Sequence, residues 1–257
     1  MGPFKEEPIY PVPASRYGDV MDKSSTSRAP FPTLSTLAHV ESWIFDLDNT
    51  LYPPEADLFA LMDVRMTGYI AHLLNLPLEE ARVLQKGWFR DHGNTLSGLM
   101  HHHDIDPCDF LAHVHDIALD RLSPDPVLRD MIERLPGRRL IYTNGDADYA
   151  GRVLERLELT GLFECVHDIH ACAYVPKPQP PGYATLCAAY AVDPTRATFF
   201  EDMARNLAPA KALGMTTVWL NNGSEWGADI GTEGSHRDFI DYETPALAPF
   251  LTALFKE

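Results

Sequence analysis

The amino-acid sequence predicts an α/β fold in which a parallel sheet core is interrupted, after its first strand, by an all-helical block. Three observations carry this reading. From residue 138 to residue 222 short apolar runs alternate with helical segments, a pattern that requires right-handed crossovers and covers both faces of a parallel sheet. A further strand-like run, residues 38–45, stands far upstream of them. Between the two, residues 55–125 carry helical periodicity and no strand signal.

Taken in order, residues 1–36 are rich in Pro, Ser and charge, as in "PIYPVPAS" and "DKSSTSRAPFPT", and cannot bury enough apolar surface to order alone. They are expected to form a flexible N-terminal arm. The run from Ala38 to Phe45 is β-branched and aromatic and is closed by Pro53-Pro54. Within the helical block, "EADLFALMDVRMTGYIAHLL" spaces Leu58, Leu61, Met62, Met66, Tyr69, Ile70, Leu73 and Leu74 mostly by three and four. "PLEEARVLQKGWFRDHG" opens on Pro77 with an acidic first turn and closes at Gly93. "DPCDFLAHVHDIAL" begins with Asp106 as a cap ahead of Pro107. Downstream, "RRLIYTNG", "FECVHDIH", "ATFFEDMARN" and "TTVWLNN" read as strands with the loops that follow them. "DADYAGRVLERLEL", "KPQPPGYATLCAAYAV" and "LAPAKALGM" supply the helices between. The core thus comprises residues 37–54 and 126–257, with the helical block at 55–125.

At 257 residues the chain fits a core domain with an inserted lobe. A formal charge of -16, without any compensating basic run, excludes nucleic acid polymers and anionic membrane surfaces as partners. Cys108, Cys165, Cys172 and Cys187 form no CxxC pair, which argues against a disulfide framework and a thiolate zinc site. The first 25 residues lack the apolar segment of a secretory signal, and the longest uncharged, mostly apolar stretch, from Thr244 to Phe255, is too short to span a bilayer. A cytoplasmic protein is expected, monomeric or homodimeric.

The chemistry concentrates where open parallel sheets bind ligands, beyond the carboxyl ends of their strands. "WIFDLDNTLYPP" ends the first strand at Asp46 and Asp48; the next ends at Thr143 and Asn144; a later loop brings Lys177; another strand ends at Glu201 and Asp202. Asp46, Asp48 and Asp202 can share a small volume while ionised only around a cation, and hard oxygen ligands select Mg2+. A phosphate dianion is then attracted by the metal, the Lys177 ammonium, the Thr143 hydroxyl and backbone N–H groups near Leu47 and Asn144. Each residue also has a blander reading: a solvated turn for Asp46 and Asp48, an αL turn for Asn144-Gly145, a surface lysine for Lys177, a helix cap for Glu201-Asp202. The run His101-His102-His103 reads as a solvated loop, because adjacent side chains diverge. His113 and His115 share no helix face, and Asp146 and Asp148 suit the first turn of the next helix.

In order, "FDLDNTLYP", "YTNG", "PKP" and "FFEDMARN" closely resemble the four motifs of the haloacid dehalogenase-like superfamily of Mg2+-dependent phosphohydrolases. The resemblance implies a Rossmann-like core with an inserted helical cap of the first subgroup. By it Asp46 is a nucleophile that forms an aspartyl-phosphate, and Asp48 is the general acid and base that also lends its backbone carbonyl to the metal. Thr50 orients Asp48; Thr143 and Asn144 bind phosphate; Lys177 neutralises charge; Asp202 ligates the metal directly and Glu201 through water. Dehalogenating members lack the second aspartate, so Asp48 implies phosphoester chemistry on a small-molecule phosphomonoester. "DLDNTLYP", "TNGDADYAGRVLERLEL" and "GLFECVHDI" most resemble the pyrimidine 5′-nucleotidase branch, which acts on UMP and CMP, with Phe59, Met62, Arg90, His92, Asn94, Thr95 and Leu99 as cap-wall candidates. The alternative within the same chemistry is phosphoglycolate or a sugar phosphate as substrate. A receiver-like phosphoacceptor module is the rival of another class; there the acidic pair precedes the phosphorylated aspartate, whereas here it follows the lysine.

Overall fold

The structure, a computed structural model, describes residues 31–223 and 237–256. Among the described residues six strands form one parallel sheet, β1 Ser42–Phe45, β2 Arg138–Tyr142, β3 Cys165–His167, β4 Ala197–Glu201, β5 Thr216–Leu220 and β6 Tyr242–Thr244, in the order β3-β2-β1-β4-β5-β6. The central strand β1 is buried at every position. Its side chains alternate as a strand covered on both faces must: Trp43 and Phe45 join Ile141, Phe200 and Val218 on one side, while Ile44 joins Leu140, Phe199 and Trp219 on the other. Phe45 stacks on Phe200 with ring centroids 4.7 Å apart. Because the chain crosses from β1 to β2 in one direction and β4 lies on the opposite side, the strand order reverses between β1 and β4, and a crevice opens at their carboxyl ends.

Five α-helices lie between β1 and β2, and the first four make the helical block: α1 Leu58–Leu74, α2 Leu78–His92, α3 Thr95–His102 and α4 Pro107–His115. Their limits follow the capping chemistry. Pro77 precedes α2, and Gly93 at φ 85° ends it with its N–H on the Phe89 carbonyl. Asn94 caps α3 by accepting from the Ser97 N–H, and Asp106 caps α4 by accepting from Cys108, with Pro107 at the first helical position. Against the sheet pack α5 Pro126–Arg134, α6 Ala147–Arg156, α7 Pro180–Tyr190, α8 Leu207–Ala212 and α9 Leu247–Leu254.

The first strand is shorter than its composition suggests. Residues 34–39 turn, with the Leu37 N–H on the Thr33 carbonyl and the Val40 N–H on Leu37, so the Thr/Ser-rich entry satisfies its own backbone before sheet pairing begins at Glu41. Residues 1–30, most of the expected arm, lie outside the described residues; of the remainder, Phe31 packs edge-on against Phe250 and the Leu34 N–H bonds the Leu254 carbonyl. No helix among the described residues is long and apolar enough to cross a membrane.

Candidate active site

Three strand ends and one loop meet in the crevice. Asp46 directly follows β1, its N–H held by the Phe200 carbonyl at 2.9 Å. Glu201 ends β4 and Asp202 follows it; both are buried, as is Asp46. The carboxylate oxygens of Asp46, Glu201 and Asp202 lie within 4.8 Å of one another, a group that could hold a metal ion. Lys177 reaches in from the loop before α7 and is 2 % exposed. Its Nζ donates to Asp46 Oδ1 at 2.6 Å, Glu201 Oε2 at 2.7 Å and the Tyr142 carbonyl at 3.0 Å.

Three carboxylates around one ammonium leave the cluster short of positive charge. The consequence falls on its protonation. Burial first, then the charge of Glu201, raises Asp46 to about 8 against the pull of Lys177, with Asp48 adding to the rise. Burial, with Glu201 and Asp46, pushes Asp202 well above the carboxylate range. Burial alone would lower Lys177; Asp46 and Glu201 outweigh it and hold the ammonium above its ordinary value. A hard divalent cation matches both the oxygen donors and the missing charge.

The remaining expected residues divide. Thr143 is buried at the end of β2 and its hydroxyl accepts from the Gly145 N–H at 3.0 Å. The Asn144 side chain turns to the Lys177 loop, accepting from the Lys177 N–H at 2.8 Å and donating to its carbonyl at 3.4 Å; it holds the lysine in place. Thr50, expected to orient Asp48, instead donates to Asp46 Oδ2 at 3.3 Å, because the turn after β1 brings the residue four positions on back over Asp46. The carboxylate of Asp48 stands outside the acidic group. One of its oxygens, Oδ1, accepts from the Tyr52 hydroxyl at 2.5 Å and the Tyr149 hydroxyl at 2.8 Å. Burial raises Asp48, and these two hydrogen bonds pull it back.

Sequence reasoning missed both tyrosines, along with His115 and Asp146. His115, near the end of α4, stacks on Tyr149 with ring centroids 4.5 Å apart and an interplanar angle of 13°. Its Nδ1 lies 2.5 Å from Asp146 Oδ2, while Asp146 Oδ1 caps α6 through the Tyr149 N–H. The only hint was an aromatic residue four positions after Asp48, the spacing that folds back onto one face of a turn.

A cavity opens from this crevice into the helical block. Asp48, His115, Asn144, Lys177 and Asp202 border it on one side; Phe59, Met62, Met66, Phe89 and Phe110 make apolar walls, and Asp63, Gln85, Lys86 and Asn94 add polar ones. Of the expected wall residues, Phe59, Met62, Asn94 and Thr95 line it, whereas Arg90, His92 and Leu99 do not. Arg90 is exposed and bonded to Asp91, and Leu99 is packed in the core. Arg205, after β4, lies over the Phe89 ring at 5.3 Å and joins the lining from the sheet side. His101 and His102 gather with His92 and Trp88 at the far end of α3, with ring centroids 4.7 to 5.9 Å apart, outside the cavity.

Known proteins resemble this chain in sequence and in fold. The chain is 25 % identical over 192 residues to Phosphate metabolism protein 8 of Saccharomyces cerevisiae, covering 68 % of this chain and 60 % of that protein. It is 28 % identical over 109 residues to Validoxylamine A 7'-phosphate phosphatase of Streptomyces hygroscopicus subsp. limoneus, covering 42 % of this chain and 51 % of that one. The matches thus span between half and two thirds of these curated relatives' lengths. Among solved structures, a HAD phosphatase from Thermococcus onnurineus superposes with a TM-score of 0.54 at 20 % identity, covering 80 % of this chain and 94 % of that one. An L-2-haloacid dehalogenase from Xanthobacter autotrophicus superposes with 0.51 at 20 % identity, covering 83 % and 97 %; at such identities the likeness is one of fold. The model of the haloacid dehalogenase-like hydrolase family matches residues 43–214, from the start of β1 past α8, and this chain belongs to that family.

Proposed function

We propose that the chain is a Mg2+-dependent phosphomonoesterase that acts through an aspartyl-phosphate on Asp46, with pyrimidine nucleoside monophosphates such as UMP and CMP as its substrates. The observation that carries this reading is the convergence of Asp46, Lys177, Glu201 and Asp202 at the reversal of strand order. Asp46 and Asp202 would hold Mg2+ directly, the Asp48 backbone carbonyl would join them, and Glu201 would act through water. The ion would supply charge neutralisation of the phosphoryl oxygens.

The protein's own groups do the rest. Lys177 holds Asp46 Oδ1 and Thr50 reaches Oδ2, so the carboxylate is fixed for attack on phosphorus; Lys177 and Thr143 flank the phosphoryl group. Asp48 gives its proton to the departing alcohol and recovers one from the water that hydrolyses the acyl phosphate. The presence of Asp48 favours this over carbon–halogen cleavage, and both curated relatives carry names tied to phosphate. The helical block is read as a cap that excludes water from the site. Its aromatic walls, Phe59, Phe89 and Phe110, suit a flat ring, which supports a nucleobase. A sugar-type phosphate is the second reading, favoured by the name of the Streptomyces relative. The location taken with this reading is the cytoplasm.

Phosphate release from UMP, CMP, phosphoglycolate and hexose phosphates, with and without EDTA, tests the proposal. Fastest release from UMP or CMP, abolished by EDTA and restored by Mg2+, is expected. Preference for a sugar phosphate or phosphoglycolate would reject the nucleotidase assignment, and no release from any of them would reject the chemistry.

A further inference from the structure

Asp48 is held in an unusual way for a group that must move a proton. Two phenol hydroxyls donate to the same oxygen, Oδ1, at 2.5 Å from Tyr52 and 2.8 Å from Tyr149, and stand 3.5 Å from each other. Both tyrosines are buried. A carboxylate oxygen offers about two lone-pair sites, so two donors fill Oδ1. Among the described residues no hydrogen bond reaches Oδ2, and Asp48 borders the cavity. The proton that Asp48 gives or takes therefore belongs to Oδ2.

The Tyr149 hydroxyl is in turn set from the helical block. Its ring lies flat against His115 of α4, and His115 is tied to Asp146, whose other oxygen caps the turn that carries Tyr149. Moving the end of α4 would remove the surface against which that ring rests.

We propose that Tyr52 and Tyr149 are positioning residues that hold the Asp48 carboxyl with Oδ2 facing the leaving-group oxygen, and that His115 makes this setting depend on the seating of the helical block. The inference rests on the reading of Asp48 as general acid and base. In the first step the bond from phosphorus to the leaving oxygen breaks, a bond from a carboxylate oxygen of Asp46 to phosphorus forms, and the proton on Asp48 Oδ2 passes to the leaving oxygen. In the second, water oxygen bonds to phosphorus, its proton passes to Asp48 Oδ2, and the Asp46–phosphorus bond breaks. A carboxyl free to rotate would slow proton transfer in both.

The test compares UMP with p-nitrophenyl phosphate, whose phenolate departs without a proton, in rapid-quench kinetics of Tyr149→Phe. This substitution keeps the ring on His115 and removes only the hydroxyl. With p-nitrophenyl phosphate the burst of p-nitrophenol should persist at the wild-type rate, steady turnover should fall by about ten-fold or more, and phosphoenzyme should accumulate. With UMP the phosphoryl-transfer step itself should slow by about the same factor, while KM stays within about two-fold. His115→Leu should show the same pattern. Should Tyr149→Phe not fold, Tyr52→Phe acts on the same oxygen and carries the test.

Equal slowing of burst and turnover, or wild-type rates for both substrates, would overturn the positioning roles alone. Normal dephosphorylation in His115→Leu would overturn the part played by the helical block. A wild-type protein that releases no p-nitrophenol and no phosphate would instead overturn the phosphomonoesterase reading on which the inference stands.

Discussion

Asp146 divides its two oxygens between a helix cap and an imidazole, and both contacts act on its ionisation. Burial works to raise it, but the His115 hydrogen bond and charge, with the Tyr149 N–H, bring it below the ordinary carboxylate value of 3.8. A lowered folded pKa favours the ionised folded chain, so this stabilisation is complete above the unfolded value and disappears as pH falls through the folded one. Acidification below about pH 4 should therefore lower the urea midpoint of the wild type more steeply than that of Asp146→Asn, which keeps the cap but not the charge. Parallel acid limbs would contradict it. Asp146 also shows what could be read in the residues and what could not. The meeting of Asp46, Glu201, Asp202 and Lys177 was legible because three of them stand at or just after strand ends of one parallel sheet and Lys177 in a loop beyond another strand, so one crevice gathers them. Tyr149 is fully buried in α6 and reads as core, and nothing in the order of residues announces that it meets Asp48, 101 positions away. His115 was set aside on helix-face grounds, although its partner lies on another element altogether.

At the scale of elements, caps and alternation made the larger part of the fold legible. Helix α2 closes at Gly93 and α4 opens at Asp106-Pro107 as expected, and the alternation along β1, β2, β4 and β5 is that of a sheet covered on both faces. Short elements were harder. Helix α5 carries its own signal, Asp125 capping with Pro126 behind it and Leu128, Met131 and Ile132 buried, but spans only 9 residues. Strand β6 has three residues, and the apolar α9 beside it, fully committed to the core through Phe250, Leu251 and Leu254, reads from composition only as a hydrophobic stretch. Close packing inside the helical block yields a further prediction. A Cβ at Gly98 of α3 would overlap the Cβ of Trp88 on α2, which cannot swing away as a side-chain tip could. Gly98→Ala should push α3 outward, cost about 1–3 kcal/mol in chemical unfolding, and raise KM by displacing Asn94 and Thr95 from the cavity wall. A variant with wild-type stability and KM would show that α3 is not held this tightly.

For the whole molecule, the parallel order β3-β2-β1-β4-β5-β6 decides where chemistry can occur, because its reversal beside β1 brings the ends of β1, β2 and β4 around one crevice. The chain carries a formal charge of -16, yet Lys177 is buried among carboxylates at that crevice; under the proposed function an anionic substrate would depend on a local cation and not on the general field. The helical block lines the cavity that opens from the same crevice; under the proposed function this would join the choice of leaving group to the place of reaction. All of this turns on Asp46 as the group that receives phosphorus. Acid-quenching the reaction with a radiolabelled phosphomonoester in Mg2+ and mapping the labelled peptide tests that directly: the label should sit on Asp46, be removed by hydroxylamine, and vanish in Asp46→Asn together with turnover. Label on another residue, or full turnover in Asp46→Asn, would contradict the account.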